Sequence, residues 1–104
     1  MENIAVVGIA NLFPGSQAPD QFWQQLLKKQ DCRSIAQTEQ MGVDPGKYTG
    51  QKGDTDKFYC IHGGYIRDFD LDPASFAVDE DYLSQLDDLN QWALYVTKQA
   101  LLDA

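Results

Sequence analysis

"IAVVGIANLFPGS", residues 4–16, is the stretch on which the fold turns. Apolar residues fill it through Ala10, interrupted only by Gly8, and the run then breaks at Phe13-Pro14-Gly15. A segment apolar on both faces predicts a buried strand covered from both sides, not one with a wet face. Pro14 presets φ and Gly15 accepts a positive φ, so 13–16 predicts a tight turn. An apolar strand followed by a glycine turn also opens many nucleotide-binding domains, and the spacing tests that reading. A dinucleotide fingerprint needs GxGxxG, whereas Gly8 is followed by Ile9 and Ala10, and the next glycine is Gly15. A P-loop needs GxxxxGK[ST], but Gly8 and Gly15 are too far apart and no lysine precedes Ser16. Asp31 stands where a ribose-binding acid could lie, which alone carries little. Both nucleotide readings fail, and no cofactor is expected.

Outward from this stretch, Pro19 suits a first helical position and Asp20 the first turn, where negative charge is favoured. Phe22, Trp23, Leu26 and Leu27 form one apolar stripe against Gln21, Gln24, Gln25, Lys28 and Lys29, predicting an amphipathic helix that ends near Asp31. Residues 36–57 are rich in turn formers and charge and read as loop with a short helical turn. A loop of that length is uncommon in a free-standing domain, so the segment is expected to rest on further structure. "FYCIHGGYI", 58–66, suggests short extended pieces around Gly63-Gly64, and Asp72-Pro73 suits the start of a short helix. Tyr82, Leu86, Leu89, Ala93, Val96 and Ala100 recur at helical spacing, broadened by Leu83, Trp92, Leu94 and Leu101. They predict a central helix of roughly 20 residues from Asp81, apolar over more than half its circumference. Trp23 and Trp92 sit in these stripes and read as core. No glycine or proline closes the helix, so the chain reads as cut before its natural stop.

The length of 104 residues allows one small domain, and 43% apolar residues argue for a folded core over disorder. No run approaches the roughly 20 apolar residues of a membrane span, and Met1-Glu2-Asn3 lacks a signal peptide's basic region; the expected location is cytoplasmic. Residues 1–67 carry seven acidic and seven basic side chains, so the net charge of −8 lies in 68–104, where nine acids face Lys98 alone. That balance disfavours nucleic acid as a partner, because binding a polyanion depends on Lys and Arg. The acidic run reads as solvated turns and helix starts.

Chemistry-bearing residues are few. Cys32 and Cys60 form neither a CxxC pair nor a disulfide framework. Cys60-x-His62 on an extended piece points two reactive groups to one face, but no third group is evident to orient the imidazole. With Cys32 they do not make a tetrahedral metal set. Asp70, Asp72 and the acids at 79–81 do not fit a calcium loop. No catalytic, cofactor-binding or metal-binding residue is assigned.

Four motifs in order, "IAVVGIANLFPGS", "FWQQLL", "GGYIRDFDLDPASF" and "LDDLNQWALYVTKQALLDA", resemble the first part of a β-ketoacyl synthase domain. The resemblance is closest to condensing domains of multienzyme polyunsaturated fatty acid synthases and modular polyketide synthases, and it spans nearly the whole chain. It implies an α/β architecture, the amino-terminal fragment of a thiolase-like fold: opening strand, amphipathic helix, long loop region, long helix. Residues 1–104 would be the amino-terminal part of the domain, truncated at the carboxyl end. The activity implied for the parent is decarboxylative condensation of acyl and malonyl thioesters. Its implied partners are the remainder of the domain, an acyl carrier protein, and a second copy or second synthase-like domain. The family's nucleophile lies in an Ala-Cys-Ser motif followed by two histidines, all beyond Ala104. Neither Cys32 nor Cys60 has that context. The chain also departs from the family pattern at Asn11-Leu12, at "SFAVDE" (75–80) and at Asp87–Gln91, as a chain-length-factor-like partner would. A free-standing acidic interaction module is the alternative.

Overall fold

The computed structural model describes residues 2–104. Five helices and a two-stranded ribbon are connected by long irregular stretches: α1 (Pro19–Leu27), β1 (Ser34–Ile35), α2 (Thr38–Met41), α3 (Pro45–Tyr48), β2 (His62–Gly63), α4 (Glu80–Ser84) and α5 (Asp88–Asp103). A 3-10 turn at Pro73–Ser75 precedes α4. The strands pair antiparallel, Ser34 with Gly63 and Ile35 with His62.

Residues 4–10 are not a buried strand in this chain. They form no regular element and lie outside the ribbon. Exposure climbs along the segment away from the protein body: Ile9 is 55% exposed, Val7 73%, Val6 82% and Ile4 96%. The cause is a lack of neighbours. Both strand faces and both strand edges need partners, and the contacts at Gly8 and Ile9 come from the end of α5 and Ala104.

That approach explains Gly8. A Cβ placed there would run into the Ala100 carbonyl oxygen and lie 2.9 Å from the Ala104 nitrogen. Gly8 is therefore a close contact between backbone and helix end. Beside it, the Ile9 N–H donates to Asp103 Oδ2 at 2.9 Å.

The turn at 13–16 forms as expected. Phe13 and Ser16 exchange both backbone hydrogen bonds at 2.8 and 2.9 Å, and Gly15 has φ +73°, as a Pro-Gly type II turn requires. α1 follows but stops at Leu27, short of Asp31. Lys29 takes φ +51°, its N–H reaches the Leu26 carbonyl, and the Gln30 N–H reaches that of Gln25. These are the two bonds of a Schellman cap, with lysine where glycine is usual.

The expected single helix from Asp81 is two. Asp87 Oδ1 accepts the Asn90 N–H at 2.8 Å and starts α5 afresh. Gln91 Nε2 reaches back to the carbonyls of Leu86 and Leu83 at 2.9 and 3.4 Å, satisfying groups released by the break. α5 is the hub. Tyr95 donates to the Gln17 carbonyl at 2.9 Å and stacks edge-on against Phe69 at 4.9 Å. Lys98 donates to the Ser75 carbonyl and lies over the Phe76 ring. Arg67 separately holds the ribbon, donating to the Ile35 carbonyl and to Gln40 Oε1.

The core is small. Among the described residues the buried apolar side chains are Leu12, Ala36, Leu71 and Leu83. Trp23, expected in the core, is 57% exposed, as are most of its neighbours on the α1 stripe. The radius of gyration is 17.8 Å, against about 13 Å for a compact domain of this length. The chain is more extended than a compact domain of its length.

Candidate functional site

The turn at 13–16 holds no anion-binding geometry. Its N–H groups at Phe13 and Ser16 are spent across the turn, and the Gly15 carbonyl accepts from Gln25 Nε2 at 2.6 Å. Beneath it, Asn11 Nδ2 donates to the buried Ser16 hydroxyl at 3.0 Å, and that hydroxyl donates to the Ala18 carbonyl at 2.9 Å. This network orients the entry into α1. Asn11 and Ser16 are positioning residues that the sequence reading passes over; the available signal is a pair of polar residues bracketing an otherwise apolar turn.

Cys60 and His62 do not form a nucleophile–base pair. The exposed Cys60 thiol is directed at the backbone carbonyl of His62, 3.7 Å away. Cys32 is half-buried near the 13–16 turn, where a Cβ on Gly15 would meet its Sγ at 3.4 Å. Cys32 precedes β1 and Cys60 precedes β2, so antiparallel pairing sends them to opposite ends of the ribbon. Both thiols are free, and among the described residues no three His, Cys, Asp or Glu side chains converge as metal ligands.

The acids of 68–104 resolve in part into helix caps. Asp72 accepts from the Ala74 N–H, Asp79 from Asp81 and Tyr82, and Asp87 from Asn90. Each satisfies a donor that a helix start leaves without an internal partner. Asp31 is different: Arg33 binds its carboxylate with Nη2 at 2.7 Å and Nε at 3.0 Å. The Arg33 side chain, then its backbone N–H, hold the Asp31 pKa at about 2, below the ordinary 3.8. The Arg33 pKa is raised in return. The pair stands on the surface and brackets the entry to β1.

An open apolar groove of about 670 Å³ lies between α4 and α5. Leu83, Leu86, Leu94 and Leu101 line it, with Val78 on one side. Asn90, Thr97 and Lys98 are its polar members, and Lys98 is already engaged with Ser75 and Phe76. The groove offers area for packing. It brings together no acid–base pair.

Comparison with known proteins agrees with the order of the motifs. The family model described as "Beta-ketoacyl synthase, N-terminal domain" matches residues 1–104. A polyunsaturated fatty acid synthase polypeptide of Thraustochytrium sp. is 30% identical over 97% of this chain and 4% of its own length. Polyketide synthase ThaG of Burkholderia thailandensis is 31% identical over 97% of the chain and 2% of its own length. The solved structure of a "PfaC Keto synthase-Chain length factor" protein matches the whole chain at 77% identity and a TM-score of 0.93, over 11% of that protein. The chain thus spans a small fraction of each relative. No helix among the described residues is long and apolar enough to cross a membrane. Groove, turn and capped helices belong to a shared scaffold, and the chain belongs to the β-ketoacyl synthase family, within its N-terminal domain.

Proposed function

We propose that residues 1–104 are the amino-terminal scaffold of a thiolase-like condensing domain and carry none of its catalytic groups. The parent domain would join an acyl group, held as a cysteine thioester, to a decarboxylating malonyl unit in polyunsaturated fatty acid or polyketide synthesis. The observation that carries the reading is the 4–10 segment, which is the most apolar stretch of the chain and lies exposed at its edge. Such a segment fits the interior of a sheet whose other strands come from further sequence. The α4–α5 groove supports the same reading as a packing face for the remainder of the domain.

The chemistry needs a thiolate nucleophile and donors for the developing negative charge. Cys32 stands in Asp-Cys-Arg and Cys60 in Tyr-Cys-Ile, and neither has a side-chain base as partner. The parent would accept acyl groups from a carrier protein and pair with a second synthase-like domain in the cytoplasm. A second reading is favoured by the departures at 11–12, 75–80 and 87–91 and by the 77% identity to a keto synthase–chain length factor protein: the parent is a chain-length-factor-like partner without condensing activity. Incubating the 104-residue chain with acyl- and malonyl-carrier-protein thioesters is expected to yield no ketoacyl product. Turnover would overturn the scaffold reading.

A further inference from the structure

α3 and the loop that follows it, residues 44–58, close on themselves. The Phe58 N–H donates to the Tyr48 carbonyl at 2.7 Å and the Gly50 N–H donates to the Phe58 carbonyl at 3.0 Å, which joins the two ends. Asp44 Oδ1 accepts the Gly46 N–H at 2.9 Å, the Thr49 hydroxyl donates to the Pro45 carbonyl at 2.6 Å, and Asp54 Oδ2 accepts the Gln51 N–H at 2.8 Å. The Tyr48 and Phe58 rings lie 6.5 Å apart across the closure. Among the described residues, every hydrogen bond made by 44–58 ends on another residue of the same segment. Pro45 is buried at one foot, while 51–57 are exposed throughout. Close ends and internal packing are the marks of an Ω-loop.

Lys57 holds this closure from the side. Its Nζ donates to the Lys47 carbonyl at 2.8 Å and lies 5.7 Å from the centroid of the Tyr48 ring. Its stem runs past Gly50, where an added Cβ would lie 2.9 Å from Lys57 Cβ and Cγ. We infer that residues 44–58 open and close as one unit, separately from α5 and the β1–β2 ribbon, and that Lys57 is the latch. The bonds that hold the loop all lie inside it, so breaking them exposes little surface and disturbs no other element. The force that opposes closure is internal as well: Asp56 takes φ +55°, a left-handed conformation that costs a residue with a Cβ. Closure and latch need no group from outside 44–58.

Amide hydrogen exchange of the 104-residue chain in rising, sub-denaturing urea tests this, read at Gly50 and Phe58 in the loop and at Val96 in α5. A local opening exposes little surface, so exchange at Gly50 and Phe58 should rise together and only weakly with urea, while exchange at Val96 should rise steeply. Lys57→Met keeps the stem and removes the ammonium. It should speed exchange at Gly50 and Phe58 by one common factor, roughly three- to tenfold for one net hydrogen bond, with Val96 unchanged. Lys57→Arg, which can donate to the same carbonyl and lie over the same ring, should restore the slow exchange. Both variants change an exposed side chain, so the helical circular dichroism should stay the same. A urea slope at Gly50 and Phe58 equal to that at Val96, unrelated responses at the two loop amides, or no effect of Lys57→Met at either would overturn the inference.

Discussion

The amide of Ile9 and the carboxylate of Asp103 meet at 2.9 Å across nearly the whole sequence, and Gly8 lies against the same helix end. This clasp sets the direction in which the opening arm leaves the protein. Gly8→Ala would drive a methyl group into the Ala100 carbonyl, a backbone atom that cannot swing aside. Overpacking of this kind costs about 1–3 kcal/mol. The expected outcome is faster hydrogen exchange at the Ile9 amide with α1 unaffected. An unchanged Ile9 exchange rate would show that the clasp does not form.

Leu83 and Leu89 lie on the same predicted stripe but in different surroundings. Leu83 is 2% exposed and Leu89 71%. Leu83→Ala should destabilise by about 2–5 kcal/mol through the cavity it leaves. Leu89→Ala should stay within about 0.5 kcal/mol, since it removes exposed surface and alanine favours helix. Urea titrations of the two variants check the contrast.

Lys29 holds a left-handed conformation at the end of α1, which costs a residue with a Cβ roughly 1–2 kcal/mol. Lys29→Gly should relieve that strain and stabilise the chain by about 1 kcal/mol, read as a higher urea midpoint. Gly15→Ala should do the opposite, because it puts a Cβ at φ +73° in a turn that fixes the approach to α1.

The Asp31–Arg33 pair gives a pH signature of defined sign. The folded Asp31 pKa is lowered to about 2, so the stabilisation from its ionised form is fully present above the ordinary value of 3.8. It is lost as pH falls through about 2. Because both side chains are exposed, the effect on stability is small. Carbon NMR of the Asp31 carboxyl should show a midpoint near 2 and a return towards 3.8 in Arg33→Ala.

Local chemistry is legible in the sequence wherever a few adjacent residues decide the structure. Pro14-Gly15 makes its turn, Pro19 starts α1 and Asp72 caps its 3-10 turn, while 36–57 holds two short helices where loop with one helical turn is expected. Apolar pattern is a poorer guide to burial. Trp23 and Leu89 sit on well-formed stripes, yet periodicity identifies the face that seeks cover and says nothing about what covers it. The break at 85–87 is hidden because apolar spacing runs through it; Asp87, whose carboxylate accepts the Asn90 backbone N–H, is the signal that marks it. By sequence Gly8 resembles a phosphate glycine or a flaw in a strand, and only the path of α5 reveals its contact. For the chemistry of Cys60 and His62, sequence spacing offers a shared face, and the direction of the thiol decides against a pair.

Under the proposed scaffold reading, the opening arm becomes an interior strand of a larger sheet. The 77% identity with the keto synthase–chain length factor protein permits a direct measurement: replace the matching 11% of that chain with residues 1–104 and follow amide exchange at 4–8. In the isolated chain at submicromolar concentration, these amides should exchange at the rate of unstructured peptide. Within the chimera they should be strongly protected. Equal exchange in both settings would contradict the account.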